Sequence, residues 1–343
     1  MNELPKIFNR FRPEIDSEMK SIISESNLPL YDMLRYHMGW IDEKGNPGTF
    51  NKGKFLRATL CMLTCISTGN ETEYKKALPI AASIELIHNF SLIHDDIQDN
   101  DVQRRHRPTL WCLWGKPQAI NAGTTMKVLA NLAILKLKDY NVSCRRQIEV
   151  FKILNESCLK MLEGQYLDIS FEDKSDVNPD DYLIMIEKKT ASLIEGAILI
   201  GAALNLDVKD IVPFQVFGNY LGIAFQIRDD ILGIWGSENK TGKPHASDIR
   251  KKKKSFPIVF ALKQSPPKIK KDLQKIYARK KINEYHVEKI LSYLEIVKAK
   301  DFCEEKCRHY YELAIKEIKN LPVSKDYIES YKEISNFLLI RDF

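Results

Sequence analysis

Long apolar stretches, which polar residues enter at helical spacing, dominate the hydrophobic pattern of this 343-residue chain. The clearest are residues 81–96 (AASIELIHNFSLIHDD) and 219–234 (NYLGIAFQIRDDILGI). We find neither a series of short alternating runs, as strands would give, nor an internal repeat. The pattern therefore predicts an all-α protein of about ten to thirteen helices.

Clusters of Gly, Pro, Asn, Asp and Ser interrupt the helical pattern and predict loops. The loops lie at residues 42–52, 171–181, 236–257 and 264–268. Asn178 or Asp180 is suited to cap a helix that begins near Tyr182. None of the breaks resembles a flexible interdomain linker, so we expect one large helical domain over residues 1–343.

Composition narrows the class of protein. The net charge of +6 is mild for this length and does not indicate nucleic-acid binding. The seven cysteines are odd in number and irregularly spaced, which favours free thiols in a reducing cytoplasm. The first thirty residues contain no apolar run, and the longest uncharged stretch, 211–227, is short for a bilayer span, so we expect no membrane segment.

The sharpest chemical feature is an acidic cluster, Asp95, Asp96 and Asp99, at the end of the first apolar stretch. Residues four apart on a helix lie on one face, with Cβ atoms about 5–6 Å apart. Two carboxylates so placed repel each other unless they share a cation, and Mg²⁺ commonly takes one or two carboxylates together with substrate phosphates. Taken alone, the cluster is equally compatible with a solvated helix end.

A second acidic pair, Asp229 and Asp230, ends the other apolar stretch, and Gln226 lies one turn before it. This pair alone is also compatible with a solvated helix end. Two apolar helices that each end in carboxylates predict a pocket between them that holds several Mg²⁺ ions and a diphosphate.

Basic residues flank the first acidic cluster. Lys54 and Arg57 are three apart, which predicts one face near a helix N-terminus, where anions bind favourably. Arg104 and Arg105 follow the acidic cluster, and arginine binds phosphate oxygens in a bidentate manner. His88 lies two turns before the cluster and is either a site residue or an ordinary core histidine.

Further basic residues accompany the second acidic pair. Lys188, Lys189 and Thr190 end another helical stretch, and Lys243 lies in the loop after the pair. The four lysines of residues 251–254 are either a solvated loop or a lid over a phosphate site.

In this order, these segments resemble the motifs of the trans-type polyprenyl diphosphate synthases, from about Met33 to Leu262. GKFLRA resembles the family's GGKRxRP, HDDIQDNDVQRR its first aspartate-rich motif, and EKKTASL its lysine-threonine motif. FQIRDDILG resembles FQxxDDxLD, and GKPHASDIRKKKKSFP resembles GKxxGxDxxxGKxTLP. The resemblance implies an all-α bundle around a deep central cavity, usually a homodimer.

The resemblance also implies roles for individual residues. Three Mg²⁺ ions would be held by the acidic groups, with Asp95 and Asp99 binding two and Asp229 the third, beside Asp96 and Asp230. The allylic diphosphate would be held by Arg104, Lys189, Thr190, Gln226 and Lys243. The diphosphate of isopentenyl diphosphate would be held by Lys54, Arg57, His88 and Arg105. The residues implied to act in catalysis are Asp95, Asp99, Asp229, Lys189 and Gln226.

The implied reaction is prenyl transfer. The enzyme would ionise an allylic prenyl diphosphate with the help of Mg²⁺ and join the carbocation to isopentenyl diphosphate. The family places the floor of the product pocket at Phe90 and Ser91, and an aromatic residue there resembles short-chain synthases, with a C20 product favoured and C15 next. Phe90 is equally compatible with plain core packing.

The chain departs from the family pattern at several positions. Phe55 replaces an arginine and Ala58 a proline, which removes one phosphate contact. Gly233 stands where the second motif has its third aspartate. His106–Arg107 and Lys252 replace glycines without an evident consequence.

Three other functions compete with the synthase interpretation. A class I terpene cyclase would ionise a prenyl diphosphate without isopentenyl diphosphate, and Gly233 and Phe55 favour it. A cyclase needs no second diphosphate site, so the retained basic residues disfavour it. These residues are Lys54, Arg57, His88 and Arg105. A non-catalytic partner subunit should have lost the metal ligands, and a nucleic-acid-binding protein should show a basic stripe with aromatics.

Overall fold

The computed structural model describes residues 5–23, 26–51, 53–174, 176–236 and 245–340. They divide into two compact units. The first unit holds the described residues up to 156 together with 196–212, and the second holds 157–195 together with those from 213 onward. The expectation of one domain over the whole chain stays a prediction.

The first unit is built from helices and one short hairpin. Its helices are α1 (Lys6–Ile23), α2 (Pro29–His37), α3 (Leu56–Thr68), α4 (Leu78–Gln98) and α5 (Leu110–Ala133). Its 3₁₀ segments are Tyr74–Ala77, Ile134–Tyr140 and Val208–Asp210. The hairpin pairs β1 (Gln103–Arg104) with β2 (Arg107–Pro108) in an antiparallel register. Helices α6 (Cys144–Asp173) and α8 (Ser192–Ala203) contribute residues to both units, and so does the helix that begins at Val212.

Helices are the regular secondary structure of the described residues in the second unit. A π-helical turn, Glu187–Ala191, follows α7 (Pro179–Ile186). The remaining helices are α9 (Val212–Trp235), α10 (Ser247–Arg250), α11 (Phe256–Gln264), α12 (Pro267–Tyr277), α13 (Glu284–Ile296), α14 (Ala299–Ile318) and α15 (Lys325–Ile340). The all-α prediction is confirmed. The described residues contain fifteen α-helices, more than the ten to thirteen predicted.

Both apolar stretches singled out in the sequence form central helices. In α4, 14 of 21 residues are buried, on all sides of the helix, as expected for a helix at the centre of a core. The Ser83 hydroxyl donates to the Ala130 carbonyl of α5 at 2.6 Å. In α9, Ile223, Ile227 and Ile231 pack into a core cluster of the second unit. Each acidic cluster is therefore carried on a rigid, buried helix.

Local capping follows the sequence closely at α7. Asn178 is the N-cap and accepts from the backbone N–H groups of Asp180 and Asp181, completing a capping box. The helix begins at Pro179, three residues earlier than predicted, because proline is well suited to the first helical position. Within the described residues, no helix is both long and apolar enough to cross a membrane.

Candidate active site

The three aspartates at the end of α4 lie in different environments. Asp96 is buried and forms an ion pair with Arg104, whose Nη2 and Nε lie 2.7 and 2.8 Å from Asp96 Oδ1. Burial raises the pKa of Asp96, and the Arg104 charge opposes that rise. Asp95 is half-buried and Asp99 is exposed, at the C-cap of the helix. The carboxylates accessible to a ligand are thus Asp95 and Asp99, and the role of Asp96 as a metal ligand stays a prediction.

The carboxylates of Asp95 and Asp99 are suited to bind Mg²⁺ that is also bound by the phosphate oxygens of a substrate. Among the described residues, no group of three or more His, Cys, Asp or Glu side chains is arranged to hold a metal ion by itself. A site with one or two carboxylates, completed by waters and phosphate oxygens, is the usual arrangement for Mg²⁺. Asp95 is half-buried and lies one helical turn from Asp99, which is compatible with this arrangement of Mg²⁺ ligands.

A buried carboxylate organises the basic residues of the first unit. Glu85 of α4 is 3% exposed, and its Oε1 accepts the Ala58 backbone N–H at 3.2 Å, near the start of α3. Burial raises the pKa of Glu85, while the charges of Arg57 and Arg105 oppose the rise. Glu85 therefore lies among the arginines that the sequence predicted as a diphosphate site. An acidic residue inside an apolar helical run was the signal that could have revealed it.

Arg105 presents an unsatisfied donor within this cluster. Its guanidinium lies against Gly53, where a Cβ would be 3.0 Å from Nη2, and Gly53 precedes Lys54. Burial and the neighbouring Arg104 lower the pKa of Arg105 to about 10. Its Nη1 is buried and has no hydrogen-bond partner among the described residues. A buried donor of this kind requires an acceptor, and an anionic ligand supplies one.

His88 contributes a neutral group to the cluster. Burial, followed by the charges of Arg57 and Arg105, holds the pKa of His88 well below its ordinary value. The imidazole is therefore neutral near pH 7 and has one donor and one acceptor nitrogen. Arg57 and Arg105 carry two positive charges and buried Glu85 carries one negative charge, so the cluster has an excess of positive charge that suits an anion.

The prediction that Lys54 and Arg57 share a helix face is wrong. Helix α3 begins at Leu56, and Phe55 before it has a left-handed backbone, with φ of 54°. Lys54 consequently lies in the loop that precedes the helix, and Arg57 lies in its first turn. The nearby helix N-terminus still favours anions.

The β1–β2 hairpin positions Arg104 and Arg105. Its two turn residues, Arg105 and His106, have φ of 54° and 62°, the pattern of a type I′ turn. Arg107 anchors the hairpin to α2, because its guanidinium lies 3.8 Å from the Tyr36 ring centroid and donates to the Tyr36 and Ile41 carbonyls at 2.9 and 2.8 Å. Arg107, for which the sequence analysis found no evident role, thus fixes the segment that carries the predicted site arginines.

Phe90 and Ser91 lie on α4 close to the predicted site. Phe90 is buried, with its ring edge-on to His94 and the centroids 4.9 Å apart. The Ser91 hydroxyl donates to the His88 carbonyl at 2.8 Å. Their role in product length stays a prediction.

In the second unit, a hydrogen-bonded chain joins three of the predicted residues. The Thr190 hydroxyl donates to Gln226 Oε1 at 2.7 Å, and Gln226 Nε2 donates to Asp230 Oδ1 at 2.8 Å. Asp230 Oδ2 also accepts from the Tyr182 hydroxyl at 2.6 Å and the Phe256 N–H at 3.1 Å. Burial raises the pKa of Asp230 to about 6.

The adjacent aspartates of α9 therefore differ in burial, as Asp95 and Asp96 of α4 do. Asp230 is 1% exposed, and both of its oxygens accept from protein donors, so its role as a metal ligand stays a prediction. Asp229 is half-buried and is the better placed of the two to reach a metal ion. Tyr182, which the sequence did not single out, fixes Asp230.

Lys189 and Thr190 lie in the π-helical turn rather than at a helix end. Such turns are rare and occur frequently at functional sites. Lys189 Nζ donates to Asp168 Oδ2 of α6 at 2.5 Å. Burial opposes ionisation of Asp168, but the charges of Lys189 and Lys253 outweigh it and lower the pKa. Asp168, which no sequence signal marked, therefore orients Lys189.

Two glycines allow neighbouring helices to approach the π turn. A Cβ at Gly164 of α6 would lie 2.2 Å from the Lys189 backbone nitrogen, and one at Gly222 of α9 would lie 2.4 Å from the Ala191 Cα. Real Cβ atoms do not approach backbone this closely, so only glycine fits at either position. The π turn is thus held directly against α6 and α9.

Two of the four lysines at residues 251–254 donate hydrogen bonds to backbone carbonyls. Lys254 Nζ donates to the carbonyls of Phe171, Glu172 and Lys174, at 2.8, 2.8 and 2.6 Å, where a cation stabilises the C-terminal end of α6. Lys252 Nζ donates to the Arg279 carbonyl at 2.6 Å. These two lysines are therefore structural rather than simply solvated. Lys243, predicted to hold the allylic diphosphate, lies outside the described residues.

These features define a class of protein: a helical protein whose central helices carry accessible carboxylates, with a half-buried arginine cluster suited to an anion. A family model described as "Polyprenyl synthetase" matches residues 40–294, more than half of the chain. The chain belongs to the polyprenyl synthetase family.

Individual relatives agree with this assignment. The (2E,6E)-farnesyl diphosphate synthase of Mycobacterium bovis is 39% identical over 231 residues, which cover 67% of this chain and 62% of that protein. The geranylgeranyl diphosphate synthase of Saccharolobus solfataricus is 32% identical over 347 residues, 99% of this chain and 98% of that protein. The crystal structure of a polyprenyl synthetase from Streptomyces coelicolor A3(2) superposes with a TM-score of 0.91 at 30% identity, over 98% of this chain and 100% of that one.

Proposed function

We propose that this protein is a short-chain prenyltransferase that condenses an allylic prenyl diphosphate with isopentenyl diphosphate. Family membership supports the reaction class, and the two relatives described above are named as farnesyl and geranylgeranyl diphosphate synthases. The observation that carries the proposal is the basic cluster around Glu85, because it supplies a diphosphate site separate from the acidic end of α4.

The residues act mainly by binding and orienting charge. When bound, Mg²⁺ neutralises the negative charge that grows on the leaving diphosphate, so that the allylic C–O bond can break. Asp95 and Asp99 would hold two ions and Asp229 a third. Arg104, which Asp96 orients, would contact the allylic diphosphate, as would the fixed side chains of Lys189, Thr190 and Gln226 and, in the family pattern, Lys243.

The acceptor is held by the other basic residues. Lys54, Arg57 and Arg105 would bind the diphosphate of isopentenyl diphosphate, and neutral His88 would add a hydrogen bond. Fixing both substrates lets the acceptor double bond attack the carbocation without a bimolecular encounter. A proton then leaves the new carbocation, and the released diphosphate is a suitable base for it.

A terpene cyclase is less well supported. It would have no use for the second site, and the buried Arg105 Nη1 without a partner among the described residues marks that site as one that awaits an anion. The retained carboxylates of Asp95, Asp99 and Asp229 also argue against a non-catalytic partner subunit.

The decisive experiment incubates the protein with Mg²⁺ and C5, C10, C15 or C20 allylic diphosphates, each with and without isopentenyl diphosphate. We expect longer diphosphates only when isopentenyl diphosphate is present, and loss of turnover in Asp95→Ala with its helical circular dichroism retained. Hydrocarbons formed without the acceptor would instead identify a cyclase, and near-normal turnover in Asp95→Ala would reject the metal role.

We further propose that the product is C20, or else C15, and that Phe90 with Ser91 forms the floor of the product pocket. Phe90 is a large buried side chain on the helix that carries Asp95, one to two turns away from it. Phe90→Ala should therefore give longer products, resolved by chromatography after dephosphorylation. Phe90→Tyr, which keeps the ring, should leave product length unchanged; the same products from Phe90→Ala would reject this role.

We also propose that the enzyme is a homodimer and that it acts in the cytoplasm. Exposed apolar residues support the homodimer, and the seven cysteines, none of them in a disulfide, are compatible with a reducing compartment. In the second-unit part of α6, large apolar side chains recur at spacings of three and four, which places them on one helix face: Leu159, Leu162, Tyr166 and Ile169. In the first unit, Ile120, Val128 and Leu132 of α5 are also exposed. Rows of this kind commonly mark a protein interface.

A further inference from the structure

Positive charge is concentrated in one short segment of the second unit. Residues 268–281, which contain most of α12 and the turn after it, carry seven basic side chains and one acidic side chain. Their net charge of +6 equals that of the whole chain, so the remaining residues carry equal numbers of basic and acidic side chains. We call the six exposed basic residues of this segment the basic patch: Lys268, Lys271, Lys275, Arg279, Lys280 and Lys281.

The basic patch lies on the outer side of a helix that is anchored in a core. Leu273 and Ile276 of α12 are buried and pack in a core cluster that includes residues of α13. Lys268, Lys271 and Lys275 are spaced by three and four residues, which places them together on one face of α12. The other three members follow directly after the helix. The core beneath α12 therefore holds the patch at the surface and already covers the apolar side of the helix.

The folded chain does not neutralise the patch. Asp272, the acidic residue of the segment, lies 2.6 Å from Lys289 Nζ through its Oδ2, and this oxygen also accepts from the Tyr293 hydroxyl at 2.5 Å. These two hydrogen bonds lower the pKa of Asp272, and Lys289 of α13 offsets its charge. None of the six side chains of the patch forms an ion pair with the described part of the chain.

Local folding does not account for the lysines at the start of α12. The first turn of a helix favours anions, because its free N–H groups carry partial positive charge. Helix α12 has no acidic residue there and has Lys268 and Lys270 within its first four residues. Like charges three and four residues apart also repel each other on a helix. Cations after the helix end need no partner, but those at its start are offset only by an external anion.

The chemistry of the patch fits an anionic lipid surface better than a nucleic acid. Five of its six members are lysines, which bind as point charges, whereas arginine supplies planar, bidentate contacts to phosphates and bases. Tyr277, the aromatic residue of the segment, is buried and presents no ring on which bases could stack. Clusters of four to eight basic residues on one helix face are typical of proteins that bind anionic lipids.

We propose that the basic patch docks this protein on an anionic membrane surface, where its lysines bind the phosphates of lipid headgroups. Because the apolar side of α12 packs in the protein core, the attachment is electrostatic and inserts no apolar helix face into the bilayer. The residues of the patch take no part in the proposed reaction. Docking would nevertheless serve it, since a C15 or C20 diphosphate carries a hydrocarbon chain that favours the bilayer over water.

Vesicle co-sedimentation tests the docking with the whole protein and without substrates. Vesicles of phosphatidylcholine with one-third phosphatidylglycerol are compared with vesicles of phosphatidylcholine alone, at about 0.05 M and about 0.5 M salt. We expect binding to the anionic vesicles at low salt and little binding to the neutral ones. The higher salt should release the protein, because screening weakens the attraction between exposed charges.

The variant Lys268→Gln/Lys271→Gln/Lys275→Gln removes three charges from one face of α12. Each lysine near an anionic surface contributes about fivefold in affinity, so the triple variant should bind the anionic vesicles about 100-fold more weakly. Its circular dichroism and its turnover with soluble substrates should match those of the wild type, because the three side chains are exposed and act only in docking.

A matched control removes three exposed lysines from another helix of the second unit. Acidic residues accompany the basic ones on α14, and Lys300→Gln/Lys316→Gln/Lys319→Gln changes the net charge by the same amount on and directly after this helix. The control should bind anionic vesicles nearly as the wild type does, since its lysines belong to a surface of mixed charge.

Three results would overturn the inference. The first is equal binding of anionic vesicles by the wild type and the Lys268, Lys271 and Lys275 variant. The second is equal binding of neutral and anionic vesicles by the wild type. The third is tighter binding of a DNA duplex than of anionic vesicles at matched phosphate concentration, measured by fluorescence anisotropy, which would identify the patch as a nucleic-acid surface instead.

Discussion

At the scale of single residues, adjacent aspartates have different tasks in both acidic motifs. Asp96 and Asp230 are buried and hold neighbouring side chains in place, Arg104 in one case and Gln226 with Tyr182 in the other. Their neighbours Asp95 and Asp229 are only half-buried and remain accessible. A helix turns by about 100° per residue, so adjacent side chains cannot share an environment at the edge of a core.

The same geometry limits what the sequence could predict about the site. The first acidic cluster was correctly predicted at the end of an apolar helix. The prediction that Asp229 and Asp230 end their apolar stretch is wrong, because α9 continues to Trp235 through the buried Ile231 and Ile234.

Which aspartate of each motif faces inward depends on its partners. Tyr182 is distant along the chain from Asp230, and Arg104 reaches Asp96 because the hairpin positions it. Asp168 was missed for the same reason, since its role comes from its tertiary contact with Lys189 alone. Glu85 did carry a sequence signal, as an acidic residue inside an apolar helical run, but its arginine neighbours are not visible in the sequence.

His106 carries a backbone strain that a single substitution should relieve. Its φ of 62° is a conformation that costs a non-glycine residue about 1 kcal/mol, and its side chain is exposed. His106→Gly should therefore raise the free energy of unfolding by about 0.5–1 kcal/mol in urea denaturation. His106→Ala keeps the strain and should show no gain; a gain of equal size in both variants would refute this explanation.

His37 should make stability depend on pH. Burial and the charges of Arg105, Arg104 and Arg107 lower its pKa well below the ordinary value, although a hydrogen bond with Asn89 opposes this. The folded state thus resists protonation that the unfolded state accepts, so stability is present above the unfolded pKa of about 6.5 and is lost as pH falls below it.

We expect the free energy of unfolding to decrease between about pH 7.5 and pH 5.5, and to decrease less steeply in His37→Gln. Urea titrations at several pH values measure both slopes. The control, His309→Gln, replaces an exposed histidine and should keep the wild-type slope. A slope for His37→Gln as steep as that of the wild type would show that His37 is not the group responsible.

At the scale of elements, helices were predicted better than the turns between them. The predicted helical stretches 81–96 and 219–234 lie within α4 and α9. Of the two residues predicted as caps of α7, Asn178 is the one that caps it. The π turn was not predicted, because its extra residue is selected by packing against Gly164 and Gly222 and not by local propensity. The prediction that Lys54 and Arg57 share a helix face was wrong because α3 begins only at Leu56. The sequence does not show that the backbone of Phe55 is left-handed.

Gly164→Ala tests the packing of the π turn. In an isolated helix this change would stabilise by about 1 kcal/mol, because alanine is the better helix former. Here the new Cβ would meet the Lys189 backbone, so we expect a loss of about 1–3 kcal/mol of unfolding free energy and a reduced affinity for the allylic substrate. Ser170→Ala, on the same helix, should be nearly neutral in denaturant melts. Stabilisation by Gly164→Ala would contradict the close approach.

At the scale of the whole molecule, the apolar row on α6 predicts association of two copies. Tyr166 is 72% exposed within that row, so Tyr166→Glu should place a charge in the interface and yield monomers. Light scattering coupled to size-exclusion chromatography should show a dimer for the wild type and for Tyr166→Phe, which keeps the apolar ring. A wild-type monomer, or a dimeric Tyr166→Glu, would remove this surface as the interface.

The hairpin that carries Arg104 and Arg105 has a consequence for substrate spacing. Arg104 pairs with Asp96 of the first acidic cluster, whereas Arg105 lies against Gly53. Consecutive Cα atoms are about 3.8 Å apart across a trans peptide bond. If each arginine binds one diphosphate, the peptide bond between Arg104 and Arg105 sets the distance between the two diphosphates. That distance then stays constant when surrounding helices shift. Deleting or inserting one residue at this turn should therefore uncouple the two reactants even where each still binds.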